Sequence, residues 1–353
     1  MKFTNNENKR FLITGGCGFI GSSLIRSLLK DDRNIIANID KMTYSSNIKS
    51  VGNASENPNY SFYKVDVCDE IFLKNFLAKY KPNYIIHLAA ETHVDRSIDG
   101  PGEFIKSNIL GTYNILNNSY KYWSKLEKRL KENFKIILVS TDEVFGSLAN
   151  DDPQSTENNK YKPNSPYSAS KASSDHLGRA WSKTYGLPIN ITNTTNNYGP
   201  WQFPEKLIPL TISKCLKNQN IPVYGNGQQI RDWIFVDDHV SGILKVLNHG
   251  KLGDNYNIGC NNELKNIEVV NDICSTLDRL LPRKKGAYKE LIEFVEDRPG
   301  HDVRYALNND KIKKIGWKPN FQWRSGLEKT IIWYLENKDF LNSYSGERIG
   351  RPD

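Results

Sequence analysis

The sequence predicts an α/β fold: a doubly wound parallel sheet of the Rossmann type, followed by a smaller C-terminal α/β lobe that binds substrate. Two observations carry that expectation. Strand-like and helix-like segments alternate through the first half of the chain. In addition, Phe11-Leu-Ile-Thr-Gly-Gly-Cys-Gly-Phe-Ile-Gly21 runs from an apolar strand through closely spaced glycines into an amphipathic segment, Ser22 to Lys30. Gly15, Gly18 and Gly21 let the backbone turn sharply and approach a pyrophosphate, whose charge meets free amides at the positive end of the helix. A third observation adds weight: Ile35-Ile-Ala-Asn-Ile-Asp40 is a second apolar strand. It ends in a carboxylate about 20 residues beyond the loop, where a dinucleotide fold places the partner of a ribose hydroxyl.

Taken in order, apolar runs and spacing predict a strand over 11–14, a helix over 19–30 and a strand over 35–40. A strand over 61–66, a helix over 70–80 and a strand over 84–88 continue the alternation, followed by a long helical region from about 101 to 131 and a strand over 135–140. Asp151 to Pro166 is polar, contains three prolines and has no periodicity. It reads as a surface loop, with a lid as one possible use. Tyr167 to Tyr185 returns to helix and Pro188 to Thr195 to strand. From Tyr198 onward, Gly-Pro, Phe-Pro, Ile-Pro and Gly-Asn-Gly punctuate short elements of mixed type. The expected division is 1–196 for the cofactor domain and 197–353 for the substrate domain. The two are interleaved, because the strand-like Asn255 to Gly259 returns to the first.

With 353 residues, 38% of them hydrophobic, the chain can bury a substantial core. The polar start, Met1 to Arg10, has no apolar h-region, and no run of about 18 apolar residues occurs, so a soluble cytoplasmic protein without membrane contact is expected. Five cysteines, Cys17, Cys68, Cys215, Cys260 and Cys274, are scattered without C-x-x-C pairing. That argues against a metal site or a disulfide framework. The formal charge of +8 is spread along the chain, and the densest run, Lys121 to Lys135, alternates with acids as on a solvated helix face. Nucleic-acid binding is not expected, because no basic stripe with interleaved aromatics occurs. Phosphorylated anions as ligands suit the positive balance.

Two pairs carry chemistry. Tyr167-Ser-Ala-Ser-Lys171 places a phenol and an ammonium one helical turn apart. Lowering a phenol pKa from about 10 to about 7 takes roughly 4 kcal/mol, which a lysine charge about 4 Å away supplies at an effective dielectric near 20. Tyr167 is therefore expected to act as a base near neutral pH. Val139-Ser-Thr-Asp-Glu-Val-Phe-Gly146 ends the strand before that helix. Ligands of parallel sheets bind at carboxyl ends of strands, so Thr141, Asp142 and Glu143 should face the substrate. Two adjacent carboxyl groups there can divide into an acid and a base when their surroundings push their pKa values apart.

A dinucleotide loop followed by a Tyr/Lys pair resembles the extended short-chain dehydrogenase/reductase superfamily. The resemblance is closest to its nucleotide-sugar 4,6-dehydratases, through Thr141-Asp-Glu143, Asn196 to Pro209, Arg231-Asp-Trp233, Tyr256 to Gly259, Lys265-Asn266, Asp297 to Asp302 and Gly346 to Gly350. It implies NAD, held by Gly15, Gly18, Phe19, Ile20, Gly21, Asp40, Lys41, Thr43, Asp66, Val67, Leu88, Ala89, Ala90, Thr92, Ser107, Tyr167, Lys171 and Asn197. Asp40 favours NAD over its phosphorylated form by repulsion, which Lys41 beside it weakens. It implies a nucleotide-sugar substrate, dTDP-glucose, contacted by Thr92, Thr141, Asp142, Glu143, Asn196, Lys206, Leu207, Pro222, Tyr224, Arg231, Asn266, Arg298 and His301, with the arginines on the diphosphate. Tyr167, aided by Thr141, would take the C4 hydroxyl proton as hydride leaves C4. Glu143 would take the C5 proton and Asp142 would protonate the departing C6 hydroxyl. The resemblance also implies a homodimer built on a four-helix interface from 101–131 and 167–185, with Ile105, Ile109, Tyr113 and Leu116 at helical spacing. Phe145, Thr195 and Thr92 depart from the expected Tyr, Ser and Ser, and the 151–166 loop looks short. The alternatives are a UDP-sugar 4-epimerase, decarboxylase or 4,6-dehydratase on the same scaffold, which would share Tyr167 and Lys171, or a non-catalytic dinucleotide sensor.

Overall fold

The computed structural model describes residues 8–297 and 299–342; Arg298 and the Gly346 to Gly350 motif lie outside the described residues. The first half runs β1 Lys9–Thr14, α1 Phe19–Leu28, β2 Asn34–Asp40, β3 Tyr60–Lys64, α2 Glu70–Tyr80, β4 Tyr84–His87, α3 Val94–Asp99, α4 Pro101–Phe104, α5 Gly111–Trp123, α6 Lys128–Asn133, β5 Lys135–Thr141, α7 Pro166–Tyr185 and β6 Ile189–Thr194. The second half runs β7 Asn196–Tyr198, α8 Leu207–Leu216, β8 Ile221–Tyr224, β9 Ile230–Phe235, α9 Val236–His249, β10 Asn255–Ile258, β11 Glu263–Lys265, α10 Asn266–Leu280, β12 Ile292–Val295, α11 Asp310–Lys314, α12 Trp323–Glu336 and α13 Lys338–Asn342.

Seven strands form one parallel sheet in the order β10-β6-β5-β4-β1-β2-β3. Strand side chains alternate between faces. Phe11 and Ile13 therefore join the core beneath α1 and α9, while Leu12 joins the opposite core with Leu73, Leu77 and Ile115. The order reverses between β1 and β4, and the carboxyl ends there open a crevice for a ligand. A smaller sheet, β11-β9-β7, and the pair β12-β8 surround a separate apolar cluster that includes Ile212, Trp233, Ile273 and Tyr334. No helix of the described residues is long and apolar enough to cross a membrane.

The region 101–131 is largely helical as expected, with departures from a plain helix. The helix is not continuous: a π-turn over Ile105–Leu110 interrupts it, and the chain leaves helix again between Trp123 and Lys128. A π-turn carries extra backbone per turn and rotates the helical residues beyond it about the axis, so the supposed stripe splits. Ile105 and Tyr113 are exposed, whereas Leu116 lies fully in the core. The run Lys121 to Lys135 is not one solvated face either, because Phe134 is buried as the chain enters β5. Nor is 151–166 free to act as a lid. Arg304 donates to the carbonyls of Ala149 and Asp152, and Ser155 is buried and bonded to the backbone of Ala306 and Asn308.

Candidate active site

Gly15 begins the site. Its φ of 73° lies in the left-handed region, and a Cβ there would sit 2.7 Å from the Ala89 amide nitrogen, so only glycine lets β1 turn this close to the end of β4. At Gly21 a Cβ would meet the Gly15 carbonyl at 2.3 Å. Gly18 caps α1 with no side-chain cap bond, which leaves first-turn amides at the positive helix end for an anion. Asp40, at the end of β2, accepts from the Cys17 amide at 3.0 Å, the Met42 amide at 2.8 Å and the Ser46 hydroxyl at 3.0 Å.

These groups line one cavity of about 300 Å³. Every residue expected to hold the cofactor is on its wall: Gly15, Gly18, Phe19, Ile20, Gly21, Asp40, Lys41, Thr43, Asp66, Val67, Leu88, Ala89, Ala90, Thr92, Ser107, Tyr167, Lys171 and Asn197. Thr141, Asp142, Glu143, Asn196 and Lys206 line it too. Three buried wall atoms, Asp142 Oδ2, Thr195 Oγ1 and Gln202 Oε1, have no hydrogen-bond partner among the described residues. Orphaned buried polar atoms of this kind suit a polar ligand, and with the glycine cradle they fit a dinucleotide with a polar substrate beyond it. Asn197 is committed elsewhere: its amide donates to Thr194 and Thr195, and its oxygen pairs with His239 at 2.9 Å.

The chemistry sits at the end of β5. Burial, then the charge of Glu143, holds the Asp142 carboxyl well above the usual range, with Arg231 opposing. Asp142 is therefore the member of the pair that keeps its proton. Tyr167 departs from expectation. Burial and then Glu143 push its phenol up, and a hydrogen bond with Thr141 is the leading opposing influence. Lys171 directs its Nζ at the Val139 carbonyl, 2.8 Å away, and burial weakens its own charged form.

Among the described residues, the remaining expected substrate contacts lie outside that wall. Leu207 and Asn266 begin α8 and α10, and Pro222 and Tyr224 lie on β8. The Tyr224 hydroxyl donates to Asp95, and the His301 ring packs against Tyr224 and bonds Asp297 at 2.6 Å. Arg231 is buried, stacked 4.4 Å from the Tyr305 ring, and donates to the carbonyls of Ile230 and Asp302. A second cavity of about 250 Å³ opens between Pro299, Gly300 and Tyr305 and shares Glu143 with the first.

A family model described as GDP-mannose 4,6 dehydratase matches residues 12–330. A dTDP-glucose 4,6-dehydratase of Neisseria meningitidis serogroup B is 50% identical over 351 residues, covering 97% of this chain and 99% of the relative. The chain belongs to the dTDP-glucose 4,6-dehydratase family. The crystal structure of a dTDP-glucose 4,6-dehydratase from Streptomyces venezuelae, with NAD bound, matches at a TM-score of 0.86 and 38% identity, covering 94% of this chain and 98% of that one. A UDP-glucose 4-epimerase of Thermotoga maritima matches at a TM-score of 0.81 but 24% identity over 93% of this chain and 99% of that one, and shares the fold alone.

In this dehydratase-family chain the cavity also has a clasp that sequence reasoning missed. Glu205 accepts from Tyr44 at 3.1 Å and lies 3.7 Å from His93, while Arg96 stacks 3.3 Å from the Tyr44 ring and Phe203 meets that ring edge-on. Lys206 donates to the Thr92 carbonyl at 3.2 Å. Glu205 falls inside the Asn196 to Pro209 stretch, yet its partner Tyr44 is 161 residues away, and no local spacing signals such a contact.

Proposed function

We propose that this chain converts dTDP-glucose to dTDP-4-keto-6-deoxyglucose as an NAD-dependent hydro-lyase. One observation carries the reading: Tyr167 and Lys171 share a cavity wall with Asp142 and Glu143, so a group suited to redox proton transfer stands beside an acid and base suited to elimination. An epimerase needs the first pair and not the second.

Bound NAD+ would supply a reversible hydride store between C4 and C6. The glycine turn and the α1 amides would hold its diphosphate, Asp40 its ribose, Asp66 and Val67 its adenine, and Lys171 the second ribose. Tyr167, helped by Thr141, takes the proton of the C4 hydroxyl. Once C4 is a ketone, C5 is acidic and Glu143 removes its proton. Asp142, kept protonated by burial, gives its proton to the C6 hydroxyl, which departs as water. Glu143 then returns a proton to C5. Asn196, Lys206, Leu207, Pro222, Tyr224, Arg231, Asn266, Arg298 and His301 hold the nucleotide-sugar.

The test is mass spectrometry of dTDP-glucose incubated with purified protein. Loss of one water supports the reading, and a product isomeric with the substrate transfers the case to the epimerase. The family assembly is proposed here as a homodimer, with exposed Ile105, Leu110, Tyr113 and, on α7, Tyr185 as supporting surface residues. Five unpaired cysteines suit a reducing, cytoplasmic setting.

A further inference from the structure

We propose that Asp175 is the buried counter-ion of Lys171, a positioning residue that keeps the lysine charged and thereby sets the pH range in which Tyr167 works; this rests on the function proposed above. Tyr167, Lys171 and Asp175 come at four-residue spacing on α7, so they share one face. Lys171 and Asp175 are 7% and 3% exposed. A cation this deep needs a compensating charge. The hydrogen bond of Lys171 goes to the neutral Val139 carbonyl, and Asp175 is the group whose charge favours its protonated form.

Burial pushes the Asp175 carboxyl up, and the charge of Lys171 leads the influences that oppose it, ahead of three hydrogen bonds. Its Oδ2 accepts from Ser140 at 2.8 Å, Tyr161 at 2.9 Å and Asn193 at 3.1 Å, all uncharged donors. These hydrogen bonds stabilise the ionised form while leaving its field for the lysine. They also fix its place, because the donors come from β5, from the 151–166 loop and from β6. Asn193 donates as well to the Thr141 carbonyl at 3.2 Å, which ties the carboxylate to the strand end that presents the reacting groups. The titratable groups facing the pair are Tyr161 from the loop, Tyr167 on the same helix and His87 on β4. Burial, then Lys171, holds His87 down to about 3, so it is neutral wherever the enzyme works.

Asp175→Asn keeps the shape and removes the charge. The rate of dTDP-glucose dehydration, measured against pH, should lose its high-pH limb about one unit earlier than wild type, roughly a tenfold loss at a fixed pH on that limb. Tyr161→Phe breaks the same network but keeps the carboxylate, and its limb should stay with wild type even if the rate falls. An unmoved limb in Asp175→Asn, or an equal shift in Tyr161→Phe, overturns the inference.

A second arm needs no turnover: the melting temperatures of Lys171→Met, Asp175→Asn and the double variant. Counter-ions require the double to lose less than the sum of the singles, and to fold even if Asp175→Asn alone does not. Additive losses, or a double that also fails to fold, overturn the inference. Wild-type protein inert at every pH would defeat the proposed function instead, and the stability arm would still decide the pairing.

Discussion

At the level of single residues, the opposite roles proposed for Asp142 and Glu143 rest on one being buried and the other half-buried. Glu143→Gln keeps shape and hydrogen bonding but accepts no C5 proton. Dehydration should fall by about two to four powers of ten while C4 oxidation continues, so dTDP-glucose should leave a lasting NADH absorbance. Tyr167→Phe should show no NADH. A Glu143→Gln protein that dehydrates at the wild-type rate would remove Glu143 as the base. Asp142 also predicts a stability effect. Its carboxyl is raised in the fold, so its contribution is full below the unfolded pKa and is lost as pH rises through the folded one. Asp142→Asn should therefore melt higher than wild type at neutral pH, show a flatter dependence on pH, and lose dehydration; differential scanning calorimetry across pH checks this. Thr141, Asp142, Glu143, Tyr167 and Lys171 were legible in the sequence because each pair is local and its chemistry comes from residue type. The direction of the Tyr167 shift was not legible, since it depends on how deep the ring sits and where the Lys171 donor goes.

At the level of elements, the β1–α1 turn was legible because glycine spacing encodes it directly. Gly15→Ala would force a side chain into a left-handed conformation, costing about 1–2 kcal/mol before any clash with Ala89. Both melting temperature and NAD affinity, read by calorimetry, should fall. An unchanged affinity would mean that the turn does not hold the cofactor. Helix α2 has its expected bounds, Glu70 to Tyr80, because Asp69 caps it through the Phe72 amide. The 101–131 region is largely helical as expected, but its π-turn was not legible, because it answers tertiary demands. Asn108, in the π-turn, bonds both Glu91 and Ser170, tying the β4 exit to α7. Apolar periodicity carries no trace of that.

At the level of the whole molecule, light scattering should give twice the chain mass at micromolar concentration. Ile105→Glu with Tyr113→Glu should halve it, since both side chains are exposed on the face proposed for the partner. A wild-type monomer would refute the assembly. The sheet order was only partly legible: alternation announces parallel strands, but pairing partners are set by packing across the layers. The position of β10 has a temporal consequence. It pairs with β6 at the sheet edge, with Asn255 opposite Ile191, after the chain has left to build β7, β8 and β9. A nascent chain emerging in order cannot complete its first sheet until residue 258 has been synthesised, so β6 waits with an open edge throughout that interval. A chain stopped after residue 250 should aggregate or stay protease-sensitive, whereas one carried past 342 should resist. Pulse proteolysis of stalled chains reads that difference, and equal resistance at both lengths would mean that the sheet closes without its last strand.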